Sequence, residues 1–96
     1  MTYLLDEMLT TYEEIGDARV LYRQARAMKK AGEEGIDQDF VNAALDDYEH
    51  LVRWFAYLRI SAEVQVHAAQ LGDVEPGPSV VATRAHLAQA KAKVGE

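Results

Sequence analysis

The sequence predicts an all-α fold, in which a long antiparallel helical hairpin is followed by a shorter third helix. Residues 36–71 contain neither Gly nor Pro, which favours one long helix over this range. Apolar residues recur every three or four positions here and in residues 2–31, the spacing of an amphipathic helix. Glycine-rich residues 32–35 and the Pro/Gly linker 72–78 separate the helical segments. We expect the 96 residues to form one domain that assembles into a helical bundle as a homo-oligomer.

The first helix is predicted over residues 2–31. Acidic residues lie in its first half and basic residues in its second half, an order that suits the helix macrodipole. Gly16 within it favours a kink or the close packing of a neighbouring helix. Gly32 is placed to end the helix, because glycine readily adopts the left-handed backbone of a C-terminal cap. The predicted apolar stripe consists of Leu4, Met8, Thr11, Ile15, Ala18, Tyr22 and Ala25.

The second helix is predicted over residues 37–71. Asp37 is a favourable N-cap, and Ile36 before it can pack on Val41 in a hydrophobic staple. The short preceding loop predicts that the two helices run antiparallel, with the numbers of facing residues summing to about 68. The main stripe, which should face the first helix, consists of Val41, Leu45, Tyr48, Val52, Phe55, Arg59, Ala62, Val66 and Ala69.

This register brings bases of the first helix opposite acids of the second. Arg23 and Arg26 are expected near Asp46 and Asp47, where they would form ion pairs across the hairpin. These arginines belong to a basic stripe of Arg19, Arg23, Arg26 and Lys30. Ion pairing explains the stripe structurally, and a phosphate-binding face is the alternative interpretation.

Arg59 is the one charged residue in the main stripe. A charge in such a position is normally paired. The register offers Asp6 and Glu13 across the hairpin, and Glu63 follows one turn later on the same helix. We therefore predict a structural ion pair of Arg59 that fixes the register of the two helices.

The second half of the long helix is apolar on a second side. A helix of this kind must be covered on both sides. The first helix can cover only one of them, so the other cover must come from the third helix or from another copy of the chain. This second stripe consists of Trp54, Tyr57, Ile60, Val64, Ala68 and Leu71.

The third helix is predicted over residues 79–94, after the Pro/Gly linker 72–78. Ser79 is expected to be its N-cap. Its apolar stripe is narrow and could fold back on the second stripe or reach a neighbouring subunit. The stripe consists of Val80, Thr83, Leu87, Ala90 and Val94.

Composition and charge exclude several classes of function. The formal net charge of −6 disfavours nucleic acid and anionic membranes as partners. The chain has no cysteine, so disulfides and thiolate metal sites are excluded and a cytoplasmic location is expected. Asp6 and Glu7 stand where a signal peptide would carry positive charge, and no uncharged apolar run is long enough to span a membrane.

The sequence gives little support for enzymatic catalysis. The only serines are Ser61 and Ser79, cysteine is absent, and no glycine-rich phosphate loop is present. We therefore assign no catalytic residue.

A metal site built from carboxylate and histidine side chains is the alternative. Asp47 and His50 are three residues apart, a spacing that puts both on one helical face. The predicted register places Glu14 and Asp17 across from them. These four residues are the candidate metal ligands.

Two short runs resemble known metal-binding families. Tyr48-Glu49-His50, followed by Tyr57-Leu58-Arg59 in a short hairpin protein, resembles the encapsulated ferritins, which bind iron between two chains. Asp47 stands where that family has Glu. Glu13-Glu14-Ile15-Gly16-Asp17 is similar to the second acidic motif of the all-alpha nucleotide pyrophosphohydrolases, which hold Mg²⁺ between two acidic helical motifs. Neither run identifies the chain; the resemblances imply Fe, Mn or Mg as the ion of this alternative function.

The leading hypothesis is a non-enzymatic helical protein–protein interaction protein, an adaptor, regulator or inhibitor, that acts as a homo-oligomer and needs no cofactor. Aromatic residues in a desolvated patch are frequent binding anchors, and an acidic face can recognise a basic partner. The expected partner-binding residues are Trp54, Tyr57, Ile60 and Val64 of the second stripe, together with Asp46 and Glu49 of the acidic face.

Overall fold

The computed structural model of the chain describes residues 2–67 and 73–95. Three helices, α1 (Leu4–Lys30), α2 (Gln38–His67) and α3 (Pro78–Gly95), make up most of this part, so the prediction of an all-α class is confirmed. Two strands of two residues each, β1 (Thr2–Tyr3) and β2 (Asp73–Val74), pair antiparallel near the start of α1. The predicted end of the second helix at Leu71, and its stripe residues 68, 69 and 71, lie outside the described residues.

The loop between α1 and α2 follows the local signals in the sequence. Gly32 has φ 78°, its N–H donates to the carbonyl of Lys29, and the N–H of Glu33 donates to the carbonyl of Met28 at 3.0 Å. These two bonds form a Schellman motif, which satisfies carbonyls at the end of α1. Glycine at position 32 is therefore required by the positive φ. The predicted role of Gly32 is confirmed.

Asp37 caps the start of α2, as predicted. Its Oδ1 accepts a hydrogen bond from the backbone N–H of Phe40 at 2.9 Å. Ile36 and Val41 are buried in one cluster with Ala25, which confirms the hydrophobic staple. The cap of Asp37 and the contact of Ile36 with Val41 thus define the same start of α2.

Contacts between α1 and α2 proceed in opposite directions along the two helices. Ala25 packs in the cluster of Val41, whereas Tyr12 lies against Phe55 with ring centroids 6.2 Å apart. Helix α1 buries Leu4, Thr11, Ala18 and Ala25 of its predicted stripe, and the other three positions of that stripe are half-buried. Its predicted face is confirmed.

Gly16 does not mark a close contact. A Cβ atom added there would have no neighbouring heavy atom within 4 Å, and α1 continues through it without interruption. The expectation of close packing at Gly16 is therefore wrong.

The buried face of α2 is rotated relative to the predicted main stripe. Ala44, Leu51 and Leu58 are buried, whereas Val52 and Arg59 of the predicted stripe are exposed. Both sets alternate steps of three and four residues, so periodicity alone does not separate them. The rotation has a physical reason, since α2 must also contact α3: Ala44 and Leu51 share a core cluster with Leu87 of α3. The prediction that Arg59 belongs to the stripe that faces the first helix is therefore wrong, because Arg59 is exposed.

Helix α3 begins at Pro78 and not after Ser79. The N–H groups of Val80 and Val81 both donate to the carbonyl of Gly77 at 3.1 Å. Proline is favourable in the first position of a helix, because its missing N–H would have no helical partner there. The predicted stripe of α3 is confirmed, since Val80, Thr83, Leu87 and Ala90 are buried and Val94 is half-buried.

Helix α3 runs in the same direction as α1. Arg84 contacts Glu7 and Glu14, and Lys91 donates a hydrogen bond of 2.9 Å to Asp17. Near the end of α3, the Nζ of Lys93 lies 5.1 Å from the centroid of the Phe40 ring. Together the described residues form a rod of 53 × 18 × 17 Å with a radius of gyration of 15.5 Å. A compact domain of this length has about 13 Å.

No helix in residues 2–67 and 73–95 combines the length and the apolar character needed to cross a membrane.

Candidate functional site

A buried carboxylate connects all three helices. Glu7 of α1 is 4 % exposed, and its Oε2 accepts hydrogen bonds from two side chains. The indole Nε1 of Trp54 in α2 donates at 2.8 Å, and the Nη2 of Arg84 in α3 donates at 2.8 Å. Each helix therefore contributes one member of this contact.

Two more residues of α1 complete what we call the Glu7 network: Glu7, Thr11, Glu14, Trp54 and Arg84. The Nε of Arg84 donates to Glu14 Oε1 at 2.8 Å, and its Nη2 donates to Thr11 Oγ1 at 3.1 Å. The hydroxyl of Thr11 donates in turn to the carbonyl of Glu7 at 2.7 Å. Among the described residues no buried side-chain N or O atom lacks a partner.

Electrostatics keep Arg84 protonated in this position. Burial by itself lowers the pKa of Arg84, but its hydrogen bonds to Glu7 and Glu14 and the charges of both carboxylates outweigh burial and raise it. Glu7 is nearly inaccessible to solvent and already accepts hydrogen bonds from Trp54 and Arg84. The network is thus a structural contact among the three helices.

Asp47 of α2 forms a second polar contact with α3. Its Oδ2 is hydrogen-bonded to Nδ1 of His86. Burial raises the pKa of the Asp47 carboxyl, and the hydrogen bond and charge of His86 offset this only in part. Asp47 therefore ionises at a higher pH than an exposed aspartate.

The structure does not bring the four candidate metal ligands together. Glu14 is engaged by Arg84, Asp17 by Lys91 and Asp47 by His86, while His50 is exposed. In the part of the chain that the structure describes, no group of three or more His, Asp or Glu side chains is placed to hold a metal ion. The described geometry therefore offers the metal hypothesis no support.

The predicted partner-binding residues occupy two environments. Trp54 is half-buried, because it donates to Glu7, and its ring stacks on Tyr57 with centroids 5.4 Å apart. Tyr57, Ile60 and Val64 are 57, 58 and 63 % exposed. We call these last three residues the outer stripe. Ile60 lies about 180° around the helix from the buried Leu51, so the outer stripe faces away from the core.

Asp46 and Glu49 are exposed on the same outward side of α2, about two to three turns before the outer stripe. Glu49 forms an ion pair of 3.7 Å with Arg53, an i, i+4 contact between two largely exposed side chains. The outward side of α2 thus has an acidic first half and an apolar second half.

The predicted ion pair of Arg59 is not formed within the described residues. Arg59, Asp6, Glu13 and Glu63 are all exposed, and no carboxylate lies within 4 Å of the Arg59 guanidinium. The structure instead uses Arg84 and Glu7 to hold the helices in register. The expected pairs of Arg23 and Arg26 with the acids of α2 are likewise absent from this part of the chain.

Sequence reasoning missed Glu7, Arg84 and His86. A signal for Glu7 was present, because an alternative series with the same periodicity passes through both acids of the network. That series is Leu4, Glu7, Thr11, Glu14, Ala18, Leu21 and Ala25. Acids at two core positions of one helix predict a base on the helix that covers them. No equivalent signal exists for His86, which lies beside the α3 stripe.

Comparisons with protein-family models, with curated proteins and with solved structures found no match for this chain.

Replacing Arg84 by Met should destabilise the protein strongly. Met keeps an unbranched apolar stem but has no charge, so Glu7 would remain buried without its counter-charge, and breaking such a pair costs about 3 kcal/mol or more. Urea denaturation monitored by circular dichroism measures the free energy of unfolding. Arg53→Met is the matched control, and because the Arg53–Glu49 pair is exposed its effect should stay below about 0.5 kcal/mol.

Adding Glu7→Gln to Arg84→Met should recover part of the lost stability, because the amide removes the uncompensated charge. If the double variant instead loses the sum of the two single effects, Glu7 and Arg84 are not coupled and the proposed role of the network is contradicted.

Replacing Asp47 by Asn should stabilise the protein at neutral pH. Because the pKa of Asp47 is raised in the folded chain, the folded chain binds more protons than the unfolded chain above the unfolded value of about 3.9. The stability that the protonated Asp47 contributes is therefore lost as the pH rises from the unfolded pKa through the higher pKa of the folded chain. The variant should gain on the wild type as pH rises from about 4 to 7, measured as Tm at each pH. A variant that loses stability relative to wild type over this range would contradict the assignment.

Proposed function

We propose that the chain is a non-enzymatic helical interaction protein, an adaptor, regulator or inhibitor, that acts as a homodimer through the outer stripe of α2. The observation that carries the proposal is the exposure of Tyr57, Ile60 and Val64 along one line of a long helix. Each of these side chains would bury apolar area against a partner, and this burial contributes about 25 cal/mol per Å² to the free energy of association. The two-helix hairpin of α1 and α2, with α3 on one side, then becomes half of a larger helical bundle.

A second copy of the chain suits this stripe for reasons of charge. Tyr57, Ile60 and Val64 present no formal charge of their own, so two copies can cross without burying an unpaired ion. If the two α2 helices cross antiparallel near Ile60, Tyr57 of one copy faces Val64 of the other. Such a contact is self-complementary, as a two-fold interface requires.

The shape of the molecule also supports association. A rod exposes more surface than a compact domain of equal length, and short chains bury a small share of their surface in any case. The apolar surface exposed in the described residues includes Leu5, Leu9 and Tyr12 of α1 as well as the outer stripe. A partner chain that covers part of this surface supplies the burial that a single copy lacks.

The acidic half of the outward side of α2 remains available in such a dimer. Asp46 and Glu49 lie before the apolar half and would stay at the edge of the contact, where they can meet a basic protein partner. An intracellular, cytoplasmic setting fits a chain without cysteine.

Sedimentation equilibrium tests the proposal. Wild-type protein should show twice the chain mass of 10.7 kDa at concentrations near 100 μM. Ile60→Glu puts a charge at the centre of the stripe in both copies and should weaken the dimer about a hundredfold. The variant should still fold, because Ile60 is exposed in the single chain.

Val20→Glu is the matched control, since Val20 is 53 % exposed on α1 and lies outside the outer stripe. It should leave the dimer unchanged within about twofold. Wild-type protein that remains monomeric at this concentration, or equal weakening by both variants, would refute the proposed interface.

A further inference from the structure

A cleft with three arginines lies between α1 and α2 and takes no part in the proposed dimer. Its volume is about 250 Å³. The four residues from α1 stand at positions i, i+3, i+4 and i+7, so they share one face of that helix. The cleft, which we call the arginine cleft, is lined by Arg19, Tyr22, Arg23, Arg26, Leu45 and Tyr48.

The guanidinium groups of this cleft have no acidic partner in the described part of the chain. No carboxylate there lies within 4 Å of Arg19, Arg23 or Arg26. The two acids of α2 that were predicted to pair with these arginines do not contact them. Asp47 is hydrogen-bonded to His86, and Asp46 is exposed. Ion pairing therefore does not explain why three arginines line this cleft.

One of the three guanidiniums lies over an aromatic ring. The Cζ of Arg26 lies 5.5 Å from the centroid of Tyr22. A cation–π contact uses the flat face of the guanidinium and leaves the N–H groups at its edge free to donate. The contact with Tyr22 therefore leaves the positive charge of Arg26 without a neutralising partner.

The opposite side of the cleft is apolar and aromatic. Leu45 and Tyr48 of α2 are half-buried, so part of each side chain still faces the cleft. An aromatic ring in that position can stack on a planar group of a ligand. The cleft therefore combines charge for an anion with a surface for a ring.

We propose that the arginine cleft binds a small phosphate monoester that carries a planar ring, the chemistry shared by nucleoside monophosphates and phosphotyrosine. Arg19, Arg23 and Arg26 bind the phosphate, since a guanidinium matches phosphate oxygens with two parallel hydrogen bonds. Tyr48 and Leu45 contact the ring. The volume is below the range of about 300–1,000 Å³ typical of drug-sized ligands, which suits one ring and one phosphate.

A nucleic-acid strand suits the molecule less well than a small anion. The net charge of −6 opposes the approach of a polyanion, whose binding depends on many phosphate contacts along an extended basic surface. The exposed acids Asp39 and Asp46 add negative charge to the surface of α2. A compact ligand with one phosphate needs only the local charge of the three arginines.

Calorimetric titration of the full chain in low salt tests the proposal. Phenyl phosphate should bind one-to-one with a Kd below about 1 mM, and inorganic phosphate should bind at least fivefold more weakly because it lacks the ring. Adenosine monophosphate and free phosphotyrosine are titrated in parallel, and the tighter of the two identifies the source of the ligand.

Arg23→Gln should weaken the binding of phenyl phosphate about tenfold, and Arg23→Lys should weaken it less, because lysine keeps the charge but loses the fork. Arg53→Gln is the matched control, since it makes the same change of charge on an exposed arginine outside the cleft. Tyr48→Leu should weaken phenyl phosphate and leave inorganic phosphate unchanged. Circular dichroism melts establish that each variant is folded.

Four results would overturn the proposal. They are the absence of saturable binding of phenyl phosphate to wild type, equal weakening by Arg23→Gln and Arg53→Gln, equal affinity for phenyl phosphate and inorganic phosphate, and tighter, strongly salt-dependent binding of a single-stranded oligonucleotide. The last result would assign the basic face to nucleic acid. None of these outcomes bears on the α2 dimer.

Discussion

The arrangement of the three helices depends on one buried carboxylate. Glu7 sits where α1, α2 and α3 meet and is removed from water, so its charge must be compensated inside the protein. Arg84 can compensate it only when α3 lies along α1 in one register, and the indole of Trp54 can reach it only when α2 does the same. An apolar contact would tolerate sliding and rotation of helices, whereas this contact does not. The apolar stripes supply the bulk of the burial, and Glu7 selects one packing among those that the stripes would allow.

The same constraint determines which surfaces remain free. With α3 held beside Glu7 and Asp47, the arginine cleft between α1 and α2 stays open, and the outer stripe of α2 stays uncovered. The two surfaces differ in chemistry, one basic and aromatic, the other apolar with an acidic extension. The two proposed contacts, with an anionic ligand on one side and a second chain on another, would therefore not compete.

Local features of the fold could be predicted from the sequence, and features that join distant segments could not. Gly32 and Asp37 bound the first loop through backbone requirements within a few residues, and both behave as predicted. The buried face of α2 was predicted in a rotated position because two series of residues on this helix have the same periodicity. Leu51 is buried and Val52 is not because of where the third helix packs. The pairing of Glu7 with Arg84 joins residues 77 positions apart, which no local pattern encodes. The second stripe was predicted from the periodicity of its apolar residues, whereas the arginine cleft became visible only once the expected ion pairs proved absent.

Native-state hydrogen exchange tests most directly whether Glu7 binds the three helices into one cooperative unit. The indole N–H of Trp54 and the backbone amides of α3 around Leu87 should exchange only through global unfolding, with the same free energy as the amide of Leu51 in the core of α2. Exchange of the α3 amides at a much lower free energy, while Leu51 remains protected, would mean that α3 opens independently. It would contradict the account.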